Sequence, residues 1–130
     1  MLRYLLVMFL FFCQEKKQNA SDNFSLWGTW VVQSIEIKDD NGTIPPANKM
    51  KMERDAKGQV WQFNSDSTVT MKKDIKSGPI GKMGFSIEKR DGHTLLAIGT
   101  SVTELMNMTG NKMDMSMSQG VTFIMHFVKQ

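Results

Sequence analysis

The chain contains one cysteine, Cys13, and one tyrosine, Tyr4, both near its start. A lone thiol excludes an internal disulfide and any metal site built on paired cysteines, whatever the redox compartment. With two histidines, His93 and His126, and no cysteine beyond residue 13, neither a zinc site nor a cysteine–histidine nucleophile can be assembled in the rest of the chain. No glycine-rich phosphate loop is present. Asp39 and Asp40 are adjacent carboxylates, but they stand in an Asp-Asp-Asn-Gly turn, where a structural role is expected rather than acid–base work. These gaps together point away from an enzyme, a resident metal and a cofactor. The formal charge of +3 is spread along the chain without a long basic block, so nucleic acid is not an expected partner.

No apolar run reaches the ~20 residues that a membrane-spanning helix needs. A shorter run does exist. Residues 4–12 are uniformly apolar, preceded by Arg3, and end at Cys13, after which Gln14-Glu15-Lys16-Lys17-Gln18 is polar. This is the layout of a secretory signal. Leu10-Phe11-Phe12-Cys13 resembles the end of a bacterial lipoprotein signal, although Phe12 stands where that pattern usually has a small residue. The resemblance implies a signal peptide over 1–12, acylation of Cys13, a flexible tether over 13–24 and a domain over 25–130. It also implies that the acyl chains bind the membrane, and that the protein lives in the bacterial cell envelope, with the outer membrane as the expected site.

The 130 residues suffice for one domain with its own core and no disulfide support. That domain is expected to start at Leu26-Trp27-Gly28-Thr29-Trp30, where glycine permits a bend and Trp30 turns inward. Residues 30–37 (WVVQSIEI) read as a first strand. Its inward face is ambiguous, because Trp30 and Val32 share one side while Val31, Ile35 and Ile37 share the other. Pro45-Pro46 follows its turn, and residues 49–58 (KMKMERDAKG) are expected to form at most a short helix or a charged loop.

Alternation sharpens from Val60 onward. Trp61 and Phe63, then Val69 and Met71, alternate with polar residues around an Asn64-Ser65-Asp66-Ser67 turn, as in a hairpin. Met83, Phe85 and Ile87 precede an Asp91-Gly92 turn and a return over residues 94–98. A short strand over 101–105, a methionine-alternating strand over 113–118 and a last strand over 121–128 complete eight. Eight short strands joined mostly by tight turns predict an all-β, up-and-down antiparallel barrel, whose closure removes exposed edges.

The Gly-Thr-Trp start, the Trp61–Thr70 hairpin, the Gly84-Phe85-Ser86-Ile87 strand and the closing run from Phe123 resemble the small lipocalin-like domains of bacterial lipoproteins, of the Bacteroidota type. In that family the hairpin turn usually carries glycine where Ser67 stands. The resemblance implies an eight-stranded barrel plugged at one end by Trp30, with room for a small hydrophobic ligand. The candidate lining is Trp30, Trp61, Phe63, Met71, Met83, Phe85, Met115, Phe123, Met125 and Phe127. The alternatives are a solid core, with an envelope protein docking on the outside near Phe24 and Trp27, and a soft Cu(I) site on Met113, Met115 and Met117, completed by Met71, Met83, Met125 or His126.

Overall fold

The computed structural model describes residues 24–130, in which eight antiparallel strands close into an up-and-down barrel with each strand paired to its neighbours in sequence and β8 returning to β1. The strands are β1 (Gly28–Lys38), β2 (Val60–Phe63), β3 (Thr68–Lys72), β4 (Pro79–Arg90), β5 (His93–Ile98), β6 (Ser101–Met106), β7 (Lys112–Gln119) and β8 (Val121–Lys129). The signal peptide expected over 1–12, Cys13 and the expected tether up to residue 23 lie outside the described residues.

The ambiguity of the first strand is resolved by a bulge. The pairing of β1 with β8 shifts register between Val32, opposite Phe127, and Ser34, opposite His126. Gln33 is the extra residue, and one extra residue reverses the alternation beyond it. Trp30, Val32, Ile35 and Ile37 therefore share the inward face, and Ile35 and Ile37 stand opposite Met125 and Phe123.

The turns carry the backbone chemistry that their residues suggest. Asp91-Gly92 joins β4 to β5 with φ of 51° and 80°, the left-handed pair that favours Asp-Gly in a two-residue hairpin. Ser67 also adopts a left-handed φ of 63°, which explains why glycine suits this place. Its turn is held by the Asp66 carboxylate, which accepts from the Thr68 backbone N–H at 3.2 Å, and by Asn64, whose side-chain amide reaches the Thr68 and Thr70 hydroxyls.

One helix, α1 (Pro46–Ala56), links β1 to β2. Proline in its first turn has its φ already set for a helix and lacks only an N–H that would go unused there. Ahead of it the Asp39 carboxylate accepts from the backbone N–H groups of Thr43 and Ile44, at 3.0 and 2.6 Å, fixing the turn that leads in. Of the helix residues only Ala56 is buried.

Two outcomes test this account. Deleting Gln33 would turn Ile35 and Ile37 outward and is expected to cost roughly 3 kcal/mol, from two half-buried side chains at about 1.5 kcal/mol each; Gln33→Ala, which keeps the residue count, should stay within about 0.5 kcal/mol. Urea denaturation of the two variants separates them. Ser67→Gly relieves the left-handed strain and should raise stability by about 0.5–1 kcal/mol in the same measurement.

Candidate functional site

The closed end is built around Trp30. Its indole Nε1 donates to the Leu26 carbonyl at 2.8 Å, its ring lies 6.0 Å from that of Phe24, and the side chain is wholly buried. Lys129, at the end of β8, places its ammonium 5.3 Å from the Trp30 ring centroid and donates to the Ser25 carbonyl at 2.9 Å. A cation over the indole face, tied to the chain that crosses below, clamps residues 24–27 over this end. Gly28 sits in the clamp with φ 119°, and a Cβ there would come within 3.1 Å of the Lys129 Cε. The φ strains any larger residue, and its Cβ would push the Lys129 side chain away from its place over Trp30.

Above this floor the inward face changes character row by row. Val32, Phe127 and Met113 stand side by side on β1, β8 and β7, all fully buried. In the next row Ile35 and Met125 are half-buried, while Met115 and its neighbour Leu105 on β6 are still buried. Further from Trp30, the row of Ile37, Phe123 and Met117 is half-buried throughout, and beyond it Val121, at the start of β8 on the same face, is buried again opposite the exposed Gln119. On the opposite wall Val69 is buried and Met71, two residues further from the floor, is half-buried. The inward side chains are thus fully packed around Trp30 and partly open to solvent in the two rows toward the end that carries α1.

The ten candidate lining residues divide accordingly. Trp30, Phe63, Met115 and Phe127 are fully buried and belong to the packed part. Trp61, Met71, Phe123 and Met125 are half-buried on the inward face; Trp61 rests edge-on against Phe127 with centroids 5.4 Å apart, and its indole N–H reaches the Gln59 side chain at 3.4 Å. Phe85 packs edge-on against Phe63, at 5.2 Å, near the closed end. Met83 is 40% exposed, beside Gly99 at the β5–β6 turn. Ile35, Ile37 and Met117 join the open rows although the sequence had not marked them as lining. The methionine alternation contains the signal for Met117, whereas the bulge hides the other two.

In the rows of Val32, Ile35 and Ile37 the inward side chains of β1, β7 and β8 are all apolar; Gln119 and Lys89, at opposite ends of this face, are exposed, and the buried Thr103 hydroxyl is spent on the Leu96 carbonyl at 3.2 Å. His126 does not join Met115 and Met125, because it projects from the outer face of β8. There its Nδ1 meets Asp114 Oδ1 of β7 at 2.7 Å and its Nε2 meets Glu36 Oε1 of β1 at 2.8 Å. Both partners are acceptors, so both ring nitrogens donate when the imidazole is protonated. Asn107 donates to the other oxygen of Asp114 at 2.7 Å. Burial works to lower the His126 pKa, but the hydrogen bonds and charges of Asp114 and Glu36 outweigh it and hold the pKa above the ordinary histidine value. His93 is exposed and pairs with Glu104. Among the described residues, no group of three or more His, Cys, Asp or Glu side chains is placed to hold a metal ion.

The geometry defines a closed, eight-stranded, up-and-down antiparallel barrel with an apolar inward face. Compared with protein-family models, curated proteins and solved structures, the chain matches none.

The clamp across β1, β8 and β7 predicts a pH dependence of stability. A raised histidine pKa gives stability that is fully present below the unfolded value of about 6.5 and is lost as pH rises through the folded value. At the other extreme, the pKa of Asp39 is lowered by its hydrogen bonds from Ile44 and Thr43 and by nearby Lys49, and that contribution is lost as pH falls below the usual carboxylate range. Tm should therefore fall between pH 6 and 8.5 by the equivalent of about 1 kcal/mol or less, given the partial exposure of the pair. His126→Gln should flatten the alkaline limb and leave the acid limb in place, as read by thermal melts across the range.

Proposed function

We propose that this chain is a lipid-anchored lipoprotein of the bacterial cell envelope, a non-enzymatic carrier whose lipocalin-like barrel takes a small hydrophobic ligand into its open apolar end. The observation that carries the proposal is a closed barrel whose inward face is apolar and in which Ile37, Phe123 and Met117 are half-buried where Val32, Phe127 and Met113 are fully packed. An uncharged interior favours a ligand, or the part of one, that needs no buried counter-ion. Methionine at Met71, Met117 and Met125 suits such a wall, since its unbranched thioether adapts to ligands of varied shape. The apolar run over residues 4–12 and its terminal Cys13 support anchorage in the envelope, with the outer membrane as the proposed location.

An apolar fluorescent probe such as N-phenyl-1-naphthylamine should bind the folded protein saturably at one site. Phe123→Ala and Met125→Ala should each weaken binding by roughly 5- to 10-fold, the equivalent of about 1–1.4 kcal/mol, while Trp27→Ser, remote from the open rows, should leave it unchanged. Native mass spectrometry of protein from its own host should recover a low-mass compound. A folded protein that shows no saturable probe binding and is repeatedly recovered empty would overturn ligand carriage.

A further inference from the structure

The closed end carries an apolar surface that the barrel's own chain leaves uncovered. Trp27 packs on Phe85 with centroids 5.7 Å apart, yet remains 48% exposed. Ile87, two residues further along the same face of β4, is 46% exposed. Register assigns Phe85 and Ile87 to the inward face, opposite the buried Ile98 and Leu96 of β5. Toward Arg90, however, β4 runs past the floor formed by residues 24–27, and its inward face meets solvent there. Lys89 follows on that same face, opposite Thr94, and is exposed. An aromatic ring, an aliphatic side chain and then a lysine make a sequence of polarity that matches the passage from acyl chain to phosphate at a lipid interface.

The chain outside the described residues indicates which occupant this surface meets. It leaves the domain at Phe24, on the closed end and three residues from Trp27, and eleven positions separate Phe24 from Cys13. Fully extended, that length reaches at most about 38 Å. The exposed Met50 and Met52 of α1, by contrast, lie at the far end of β1, away from the exit of the chain. Resting on the anchorage through Cys13 proposed above, we infer that the closed end lies on the membrane surface, with Trp27 and Ile87 in the boundary between headgroups and acyl chains and Lys89 beside the phosphates. The open end of the barrel then faces away from the bilayer.

The full processed chain, reconstituted into vesicles of phosphatidylethanolamine and phosphatidylglycerol, tests this in two stages. Flotation with the vesicles reads the anchor. Tryptophan emission in vesicles whose acyl chains are brominated near the glycerol reads the resting face. The emission of Trp27, taken as the difference between the parent chain and Trp27→Phe, should be mostly quenched by the brominated lipid and protected from aqueous iodide. Ile87→Asp, a change at an exposed position, should float equally well but lose that quenching; near-UV circular dichroism confirms that the fold is kept. A chain that floats while Trp27 remains unquenched by bromolipid overturns the resting face and leaves the anchor standing, and it would direct attention to a protein partner for the same surface. A chain that does not float overturns the anchor and the resting face together.

Discussion

Everything in this molecule depends on a single long-range join, the pairing of β8 with β1. Every other strand neighbour in the ring is also the next strand in sequence, so its closure entropy is small, whereas this join spans nearly the whole domain. It forms only if β1 presents Trp30, Val32, Ile35 and Ile37 on one face to Phe127, Met125 and Phe123, and the extra residue at Gln33 makes that possible. The join is reinforced at both levels: below by Lys129 over Trp30 and by the Gln130 N–H on the Thr29 carbonyl at 2.9 Å, and outside by His126 between Glu36 and Asp114. Floor, wall and seam are thus parts of one interaction.

Much of this was legible beforehand, for a physical reason. From Val60 onward most strands turn an apolar face inward and a polar one to solvent, so the alternation is written directly in residue type, and the seven strands β2–β8 and their turns follow from it. β1 was the exception, since a bulge reverses parity without changing composition. The helix over Pro46–Ala56 was only half-legible, because just Ala56 of it is buried and no apolar face announces it. The pairing of His126 was not legible at all: its partners, Glu36 and Asp114, are brought to it by the register of three strands and by nothing local.

The candidate site shows the same division. Alternation beyond β1 indicates which side chains share the inward face, yet it carries no information on depth. Trp30 and Phe123 look alike as inward aromatics, and only the crossing of residues 24–27 beneath the barrel makes one a floor and leaves the other in reach of solvent. Likewise Ile87 alternates in phase with Met83 and Phe85, and its exposure arises because β4, at twelve residues, outruns the floor beside it. Alternation reports the side of a wall; closure and strand length decide which part of the wall is dry.

The bulge at Gln33 also matters before the barrel is complete. A ring whose final join waits for β8 leaves β1 bare along one edge until residues 121–129 have been synthesised, and an unpaired edge invites any extended segment nearby. A bulge in the middle of that edge interrupts the ladder and bends the strand, which makes the bare edge a poorer template for a chance partner. The residue that aligns the core thus also guards the nascent chain against joining the wrong strand.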